Sequence, residues 1–143
     1  VDAVLGAFRN FELNQLEILG KEGKCFYLEE EGVPVYDELI FIANKNHLNK
    51  NKISKFLEAI EMATIYIINH PDESWNIFSS ISPELNDTLN KKAWKDTLPR
   101  LALRPSALDV RRYTKFEEYL YNSSLIDNVF PVHEIAIDIN SEN

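Results

Sequence analysis

Three polar residues near the start of the chain, Arg9, Asn10 and Glu12, have side chains that could bind a small polar molecule. They follow an apolar run at residues 2–7 that predicts a buried strand. They also begin a helical pattern that is predicted to end at Gly20, a typical helix C-cap. In open α/β sheets, ligands bind at the carboxyl ends of strands, where helix N-termini and polar side chains converge. This order of residues predicts a small-molecule site at the junction.

The carboxylate of Glu12 could accept two hydrogen bonds from an amidine-like edge, such as the amino group and ring nitrogen of an aminopyrimidine. Asn10 offers both a donor and an acceptor, and Phe8 and Phe11 could supply apolar or stacking surface. The alternative is structural, with Glu12 at the positive end of a helix and both phenylalanines in the core. The residue types alone favour neither interpretation.

Motifs for other kinds of chemistry are missing from the sequence. The four glycines lack the spacing of phosphate-binding loops, and there is no GxSxG motif. The three histidines lack metal-ligand spacing. The single cysteine, Cys25, lies in a predicted apolar strand, as expected of an inert thiol. We therefore expect a binding protein rather than an enzyme, with no cofactor and no metal.

The composition is that of an ordinary globular protein, with 45% hydrophobic and 27% charged residues in a chain of 143. Its formal net charge is −8, so a phosphate backbone would be repelled and no nucleic-acid partner is expected. The longest apolar run, residues 39–43, is far too short to span a bilayer.

The predicted strands are few. They lie at residues 2–7, 24–29 and 38–44, and residues 132–139 are predicted to form a short edge strand or a docked arm. A three-stranded sheet offers too little surface for about 80 residues of amphipathic helix in a layered α/β fold. We therefore expect the chain to be a fragment of an α/β protein, with further strands contributed from upstream.

The later helices carry clear start signals. Residues 51–70 have a regular apolar periodicity of 3.6 residues, and Pro71 is expected at the first position of the next helix. Ser82-Pro83 is predicted to begin a further helix that Pro99 stops. A capping box formed by Ser106 and Asp109 is predicted to begin the last one.

A connector at residues 31–36 separates the second and third predicted strands, because Gly32 and Pro34 interrupt the pattern. If two lobes meet here, the connector is a hinge, and the side chains that flank it would face the cleft, namely Glu29, Glu30, Tyr36, Asp37 and Glu38. The alternative is an ordinary loop in solvent.

A series of short motifs runs in order from residue 1 to about residue 128. They are Val1-Asp2-Ala3-Val4, Arg9-Asn10-Phe11-Glu12, Gly32-Val33-Pro34, Tyr36-Asp37-Glu38-Leu39-Ile40, Asn69-His70-Pro71-Asp72-Glu73-Ser74-Trp75, Ala93-Trp94, Asp96-Thr97-Leu98-Pro99 and Leu103-Arg104-Pro105. In this order and spacing the sequence resembles the C-terminal half of the thiamine-pyrimidine-precursor family of ABC-transporter substrate-binding proteins.

The resemblance implies a type II periplasmic-binding-protein fold, in which two α/β lobes hold the ligand in the cleft between them. Residues 1–28 would form the strand, helix and strand that end the second lobe. Residues 29–37 would form the inter-lobe crossover, and residues 38–143 the C-terminal strand and helices of the first lobe.

The resemblance also implies a function. The protein would be the substrate-binding component of an ABC importer, located in the periplasm or another extracytoplasmic space, with a transporter permease as partner. Its ligand would be an aminopyrimidine precursor of thiamine, contacted by Asn10 and Glu12 and flanked by Phe8 and Arg9. Family members often have Trp or Tyr where this chain has Phe8 and Phe11.

Two alternatives accompany this prediction. Eukaryotic relatives of the same fold synthesise the pyrimidine and use an active-site motif in the upstream half. This protein could therefore be a pyrimidine synthase of thiamine biosynthesis. The chain could also self-associate as a homodimer with no ligand of its own, since uncovered apolar sheet faces seldom stay in water.

Overall fold

The structure is a computed structural model that describes residues 2–140. By its internal contacts the chain divides into two compact units. The first consists of Val1–Cys25 and Glu61–Leu103, and the second of Phe26–Ile60 and Arg104–Asn143. The lobe boundaries implied by the resemblance stay a prediction.

Regular structure in the described residues is helical. The α-helices are α1 (Glu12–Ile18), α2 (Lys50–Asn69), α3 (Pro71–Ser79), α4 (Thr88–Thr97), α5 (Val110–Asn122) and α6 (Val132–Ile135), and 3₁₀ turns lie at Lys45–His47, Pro83–Leu85 and Leu98–Arg100. Within residues 2–140, none of these helices combines the length and hydrophobicity that a membrane crossing requires.

The predicted end of α1 is confirmed. Gly20 has a φ of +65°, a left-handed conformation that glycine adopts without a steric penalty. Its N–H donates to the carbonyl of Glu17 at 3.0 Å, and the N–H of Lys21 donates to the carbonyl of Leu16 at 2.8 Å. This pair of bonds is the Schellman arrangement, which satisfies carbonyl groups left over at the end of the helix.

The two central helices also begin and end close to the predicted residues. The periodic segment forms α2, and Pro71 is the first residue of α3, with Asp72 and Glu73 in the same turn. Proline has no N–H to lose at this position, and the two carboxylates complement the positive end of the helix dipole.

The predicted starts of the last two long helices are wrong. Ser82-Pro83 leads only into a 3₁₀ turn, and α4 begins after Asp87, whose Oδ1 accepts a bond from the N–H of Asn90 at 2.7 Å. Asp109 is itself the N-cap of α5, accepting a bond from the N–H of Arg112 at 3.0 Å. A carboxylate directly before the first turn therefore caps each helix in place of the upstream serine.

The predicted strands do not form in the described residues. Residues 24–29 and 38–44 are turn or irregular structure, as are residues 2–7, and part of the 132–139 segment is the short helix α6. The α/β class is therefore not seen between residues 2 and 140. A strand is stable only when a neighbouring strand accepts and donates its backbone hydrogen bonds, and an apolar segment does not by itself provide that neighbour.

Each unit packs around a cluster of aromatic rings. In the first unit, Trp75 and Phe78 on α3 lie against Trp94 on α4, with ring centroids 5.1 to 6.0 Å apart. In the second unit, the Tyr36 ring stacks on Phe116 of α5 at 4.5 Å, and α6 packs against α5. These aromatic contacts hold in place the side chains described below.

Candidate functional site

Residues 8–12 form a tight turn that leads into α1, within the first unit. The carbonyl of Phe8 accepts bonds from the N–H groups of Phe11 at 2.9 Å and Glu12 at 3.0 Å. In return, Oε2 of Glu12 accepts the N–H of Phe8 at 2.7 Å. The Glu12 carboxylate is therefore held in one position by the backbone, and its other oxygen, Oε1, takes no part in this bond.

The side chain of Asn10 is fixed against α4. Its Nδ2 donates to Oγ1 of Thr97 at 2.7 Å, and that hydroxyl donates onward to the carbonyl of Ala93 at 2.7 Å. Nδ2 of Asn14 donates to the Asn10 carbonyl at 2.9 Å and to Oδ2 of Asp96 at 2.7 Å. The Asn10 amide is thus oriented by its donor side, and its acceptor Oδ1 takes no part in these bonds.

An ion pair supports the same contact between helices. Nζ of Lys92 on α4 lies 2.6 Å from Oε1 of Glu17 on α1. The Glu17 side chain is largely exposed and that of Lys92 partly exposed, so the pair contributes at most about 1 kcal/mol. The amide and hydroxyl bonds around Asn10 add to this contact between α1 and α4.

The aromatic residues of this turn are at the surface. The Phe8 side chain is 49% exposed and Phe11 is also exposed, so the alternative that both belong to the core is wrong. Arg9, Asn10 and Glu12 are half-buried. The structure therefore brings the four predicted residues together in one turn, and their role in ligand binding stays a prediction.

Two residues on α4 position this turn and were not predicted from the sequence. Thr97 and Asp96 are more than 80 residues from their partners Asn10 and Asn14, and nothing in their local sequence indicates this contact. They do belong to the Asp96-Thr97-Leu98-Pro99 motif, and the resemblance of that motif to the family is the one signal that could have indicated them.

A second concave surface lies wholly within the second unit. It is a groove of about 620 Å³ lined by Tyr36 and Asp37 of the connector together with residues of α5 and the segment after it. The Asp37 carboxylate pairs with the guanidinium of Arg112. Of the residues predicted to face a cleft, Tyr36 and Asp37 line this groove and Glu29, Glu30 and Glu38 do not. The role of the connector as a hinge stays a prediction. The contribution of α5 was not predicted.

Burial raises the pKa of the Tyr113 phenol above its ordinary value of 10.0, and the negative charge of Asp37 raises it further, while Arg112 opposes the change. Since the raised pKa belongs to the folded chain, the associated stabilisation is complete below pH about 10 and is lost as the pH rises through the higher value.

We predict that Tyr113→Phe removes one ionisation step at high pH from an ultraviolet titration of the tyrosines. Asp37→Asn should move that step to lower pH, and an unchanged curve in both variants would contradict the assignment.

The ordered motifs and the polar turn before α1 belong to a recognised class of protein. The chain is a member of the NMT1/THI5-like family, whose model matches residues 1–74. This confirms the resemblance seen in the sequence.

Individual relatives have names that relate to thiamine biosynthesis or to its pyrimidine. Over 140 residues the chain is 51% identical to a Haemophilus influenzae protein named for thiamine biosynthesis, an alignment that covers 97% of this chain and 45% of that protein. It is 28% identical over 99 residues to the formylaminopyrimidine-binding protein of Halalkalibacterium halodurans, covering 68% of this chain and 30% of that protein. It is 31% identical over 97 residues to the 4-amino-5-hydroxymethyl-2-methylpyrimidine phosphate synthase of Candida albicans, covering 66% and 24%.

The chain spans less than half the length of each of these relatives. No solved structure matches it.

Proposed function

We propose that this chain is part of a substrate-binding protein that holds an aminopyrimidine precursor of thiamine. The observation that carries the proposal is the turn before α1, where the Glu12 carboxylate and the Asn10 amide are each fixed by hydrogen bonds of their own. Membership of the NMT1/THI5-like family supports it, as does a relative named for binding a formylaminopyrimidine.

In the proposed complex, Oε1 of Glu12 accepts a hydrogen bond from the exocyclic amino group of the pyrimidine. Oδ1 of Asn10 offers a second acceptor, because its Nδ2 is already engaged with Thr97. The exposed ring of Phe8 provides a face for stacking. Fixed acceptors bind well because little conformational freedom remains to be lost when the ligand arrives.

In the whole protein, the ligand would bridge two lobes and shift a hinge equilibrium from open to closed. The closed form would deliver the pyrimidine to the permease of an ABC importer in an extracytoplasmic compartment. Both the permease and the compartment are part of the proposal.

Isothermal titration of the full-length gene product tests the proposal with a matched pair of ligands. We expect 4-amino-5-hydroxymethyl-2-methylpyrimidine to bind, and the analogue without the 4-amino group to bind about 100-fold more weakly, since it leaves fixed acceptors unpaired. Equal binding of the two ligands, or binding of neither, would rule out recognition of the amino edge.

A synthase is the second candidate, because the Candida albicans relative and a Saccharomyces cerevisiae relative, 31% identical over 86 residues, are both named for synthesis of the pyrimidine phosphate. Complementation separates the two functions in a bacterial strain that cannot make this pyrimidine. Growth without any added pyrimidine indicates a synthase. An importer component would not support growth without added pyrimidine, but it would improve growth over the parent strain when the pyrimidine is added at low concentration.

Self-association is the third candidate. Leu39 and Ile42, in the segment predicted as the third strand, are 86% and 90% exposed, and apolar side chains of this kind favour association. Light scattering of the chain at several concentrations tests it, and a strict monomer would contradict a homodimer.

A further inference from the structure

The groove of the second unit has the size and lining of a small-molecule site. Its volume is about 620 Å³, within the range of roughly 300 to 1,000 Å³ that is common for such sites. One wall consists of the stacked rings of Tyr36 and Phe116, whose planes are inclined by 14°, and Tyr113 and Phe130 also line it. An aromatic wall of this kind favours a flat ligand.

The groove also contains a buried carboxylate. Glu117 on α5 is only 8% exposed, and its Oε1 accepts the N–H of Phe130 at 2.5 Å. Among the described residues, no Lys, Arg or His nitrogen forms an ion pair with it. A carboxylate removed from water and left without a cation is energetically costly, and a bound cation would offset that cost.

The other charges around the groove do not neutralise Glu117. Of the described residues that line it, Arg112 is the one with a positive charge, while Asp37 and Asp127 add negative charge. The Arg112 guanidinium already pairs with Asp37, and its Nε lies 3.7 Å from Oδ2 of Asp109. The groove therefore has an excess of negative charge beside aromatic side chains.

We propose that this groove binds a planar aromatic cation. The positive ring would lie against the aromatic side chains that line the groove, where a cation–π contact contributes about 0.5 to 2 kcal/mol, and would place its charge near Glu117. A neutral ligand would leave that carboxylate unpaired, and an anion would be repelled by it. The lining of this groove shares no residue with the turn at residues 8–12 that carries the proposed aminopyrimidine site.

Titration calorimetry of the full 143-residue chain at neutral pH tests the proposal with two bicyclic probes of similar shape. We expect 1-methylquinolinium, a permanent cation, to bind at least about tenfold more tightly than neutral quinoline. Equal affinities, or no binding of the cation, would overturn the proposal. Displacement of the cation as the chain dimerises would also overturn it, by showing that a second copy occupies the groove.

Matched variants on α5 test the role of the carboxylate. Glu117→Gln removes the charge but keeps an oxygen that can accept the Phe130 N–H, and we expect it to weaken cation binding about tenfold without affecting quinoline. Glu118→Gln makes the same change in net charge at an exposed neighbour that does not line the groove, and should change the affinity less than about twofold. Equal losses in both variants would show that only net charge matters.

A second variant covers the case in which Glu117→Gln does not fold. Asp127 lines the groove and is exposed, so Asp127→Asn should leave the far-ultraviolet circular dichroism unchanged. It should weaken binding of 1-methylquinolinium about two- to threefold and leave quinoline unaffected. An unchanged affinity for the cation would contradict a negatively charged site.

Discussion

Glu12→Gln is expected to weaken binding of 4-amino-5-hydroxymethyl-2-methylpyrimidine to the full-length gene product by about 100-fold or more. The charged oxygen that accepts the ligand's amino group is lost, and hydrogen bonds to a charged acceptor are roughly twice as strong as neutral ones. If the glutamine keeps its oxygen on the Phe8 N–H, its NH₂ group faces the ligand's own donor. Isothermal titration measures the loss directly.

The fold should survive this change, because glutamine can still accept the N–H of Phe8 that Glu12 accepts at 2.7 Å. Glu17→Gln is the matched control. It removes the same charge from the same helix, at an exposed side chain that forms an ion pair with Lys92. We expect its affinity to stay within about twofold of the unmodified protein. Undiminished binding by the Glu12→Gln protein would exclude this residue from the ligand site.

The largest effect on stability is expected from Trp75→Ala. Trp75 is 7% exposed and its ring lies 6.0 Å from those of both Phe78 and Trp94. Truncating a buried aromatic residue typically lowers the free energy of unfolding by about 3 to 5 kcal/mol, since it loses apolar burial and leaves a cavity. Few other large side chains in this unit are buried, so there is little else to keep α3 against α4.

Urea denaturation followed by far-ultraviolet circular dichroism measures this loss. Ile77→Ala is the control on the same helix, because Ile77 is 57% exposed and should change stability by less than about 0.5 kcal/mol. If Trp75→Ala unfolds completely, Trp75→Phe keeps a ring in the cluster and should show a smaller loss of about 1 to 3 kcal/mol. Equal midpoints for Trp75→Ala and Ile77→Ala would show that the aromatic cluster does not stabilise this unit.

The helices could be predicted from the sequence to a large extent. The end of α1 at Gly20, the extent of α2 and the start of α3 at Pro71 depend on interactions within a few residues of each other. Capping, proline geometry and apolar periodicity are local properties of this kind. The observed starts of α4 and α5 differ from the predicted ones because more than one residue in each segment could act as an N-cap. Asp87 and Asp109 are the residues that cap the two helices.

The strands could not be predicted in the same way. The apolar pattern at residues 38–44 is typical of a buried strand. Such a pattern indicates which side chains avoid water, but it does not show which neighbouring strand would form the backbone hydrogen bonds. In the described residues those partners are lacking, and the segment keeps an irregular conformation. The candidate residues 8–12 lie together in one turn because they are contiguous in sequence, and their role in ligand binding stays a prediction.

Local sequence was thus sufficient for the end of α1, the extent of α2 and the start of α3, and it placed the polar and aromatic residues before α1 next to one another. The tertiary structure decided how these groups are held and what faces them. Asn10 is oriented by Thr97, 87 residues away, Tyr36 stacks on Phe116, and the Glu117 carboxylate is buried beside Phe130 without a cation among the described residues. Such contacts join distant parts of the chain. They form because the aromatic rings of each unit pack together away from water. This packing depends on the whole unit, so no short stretch of sequence determines it.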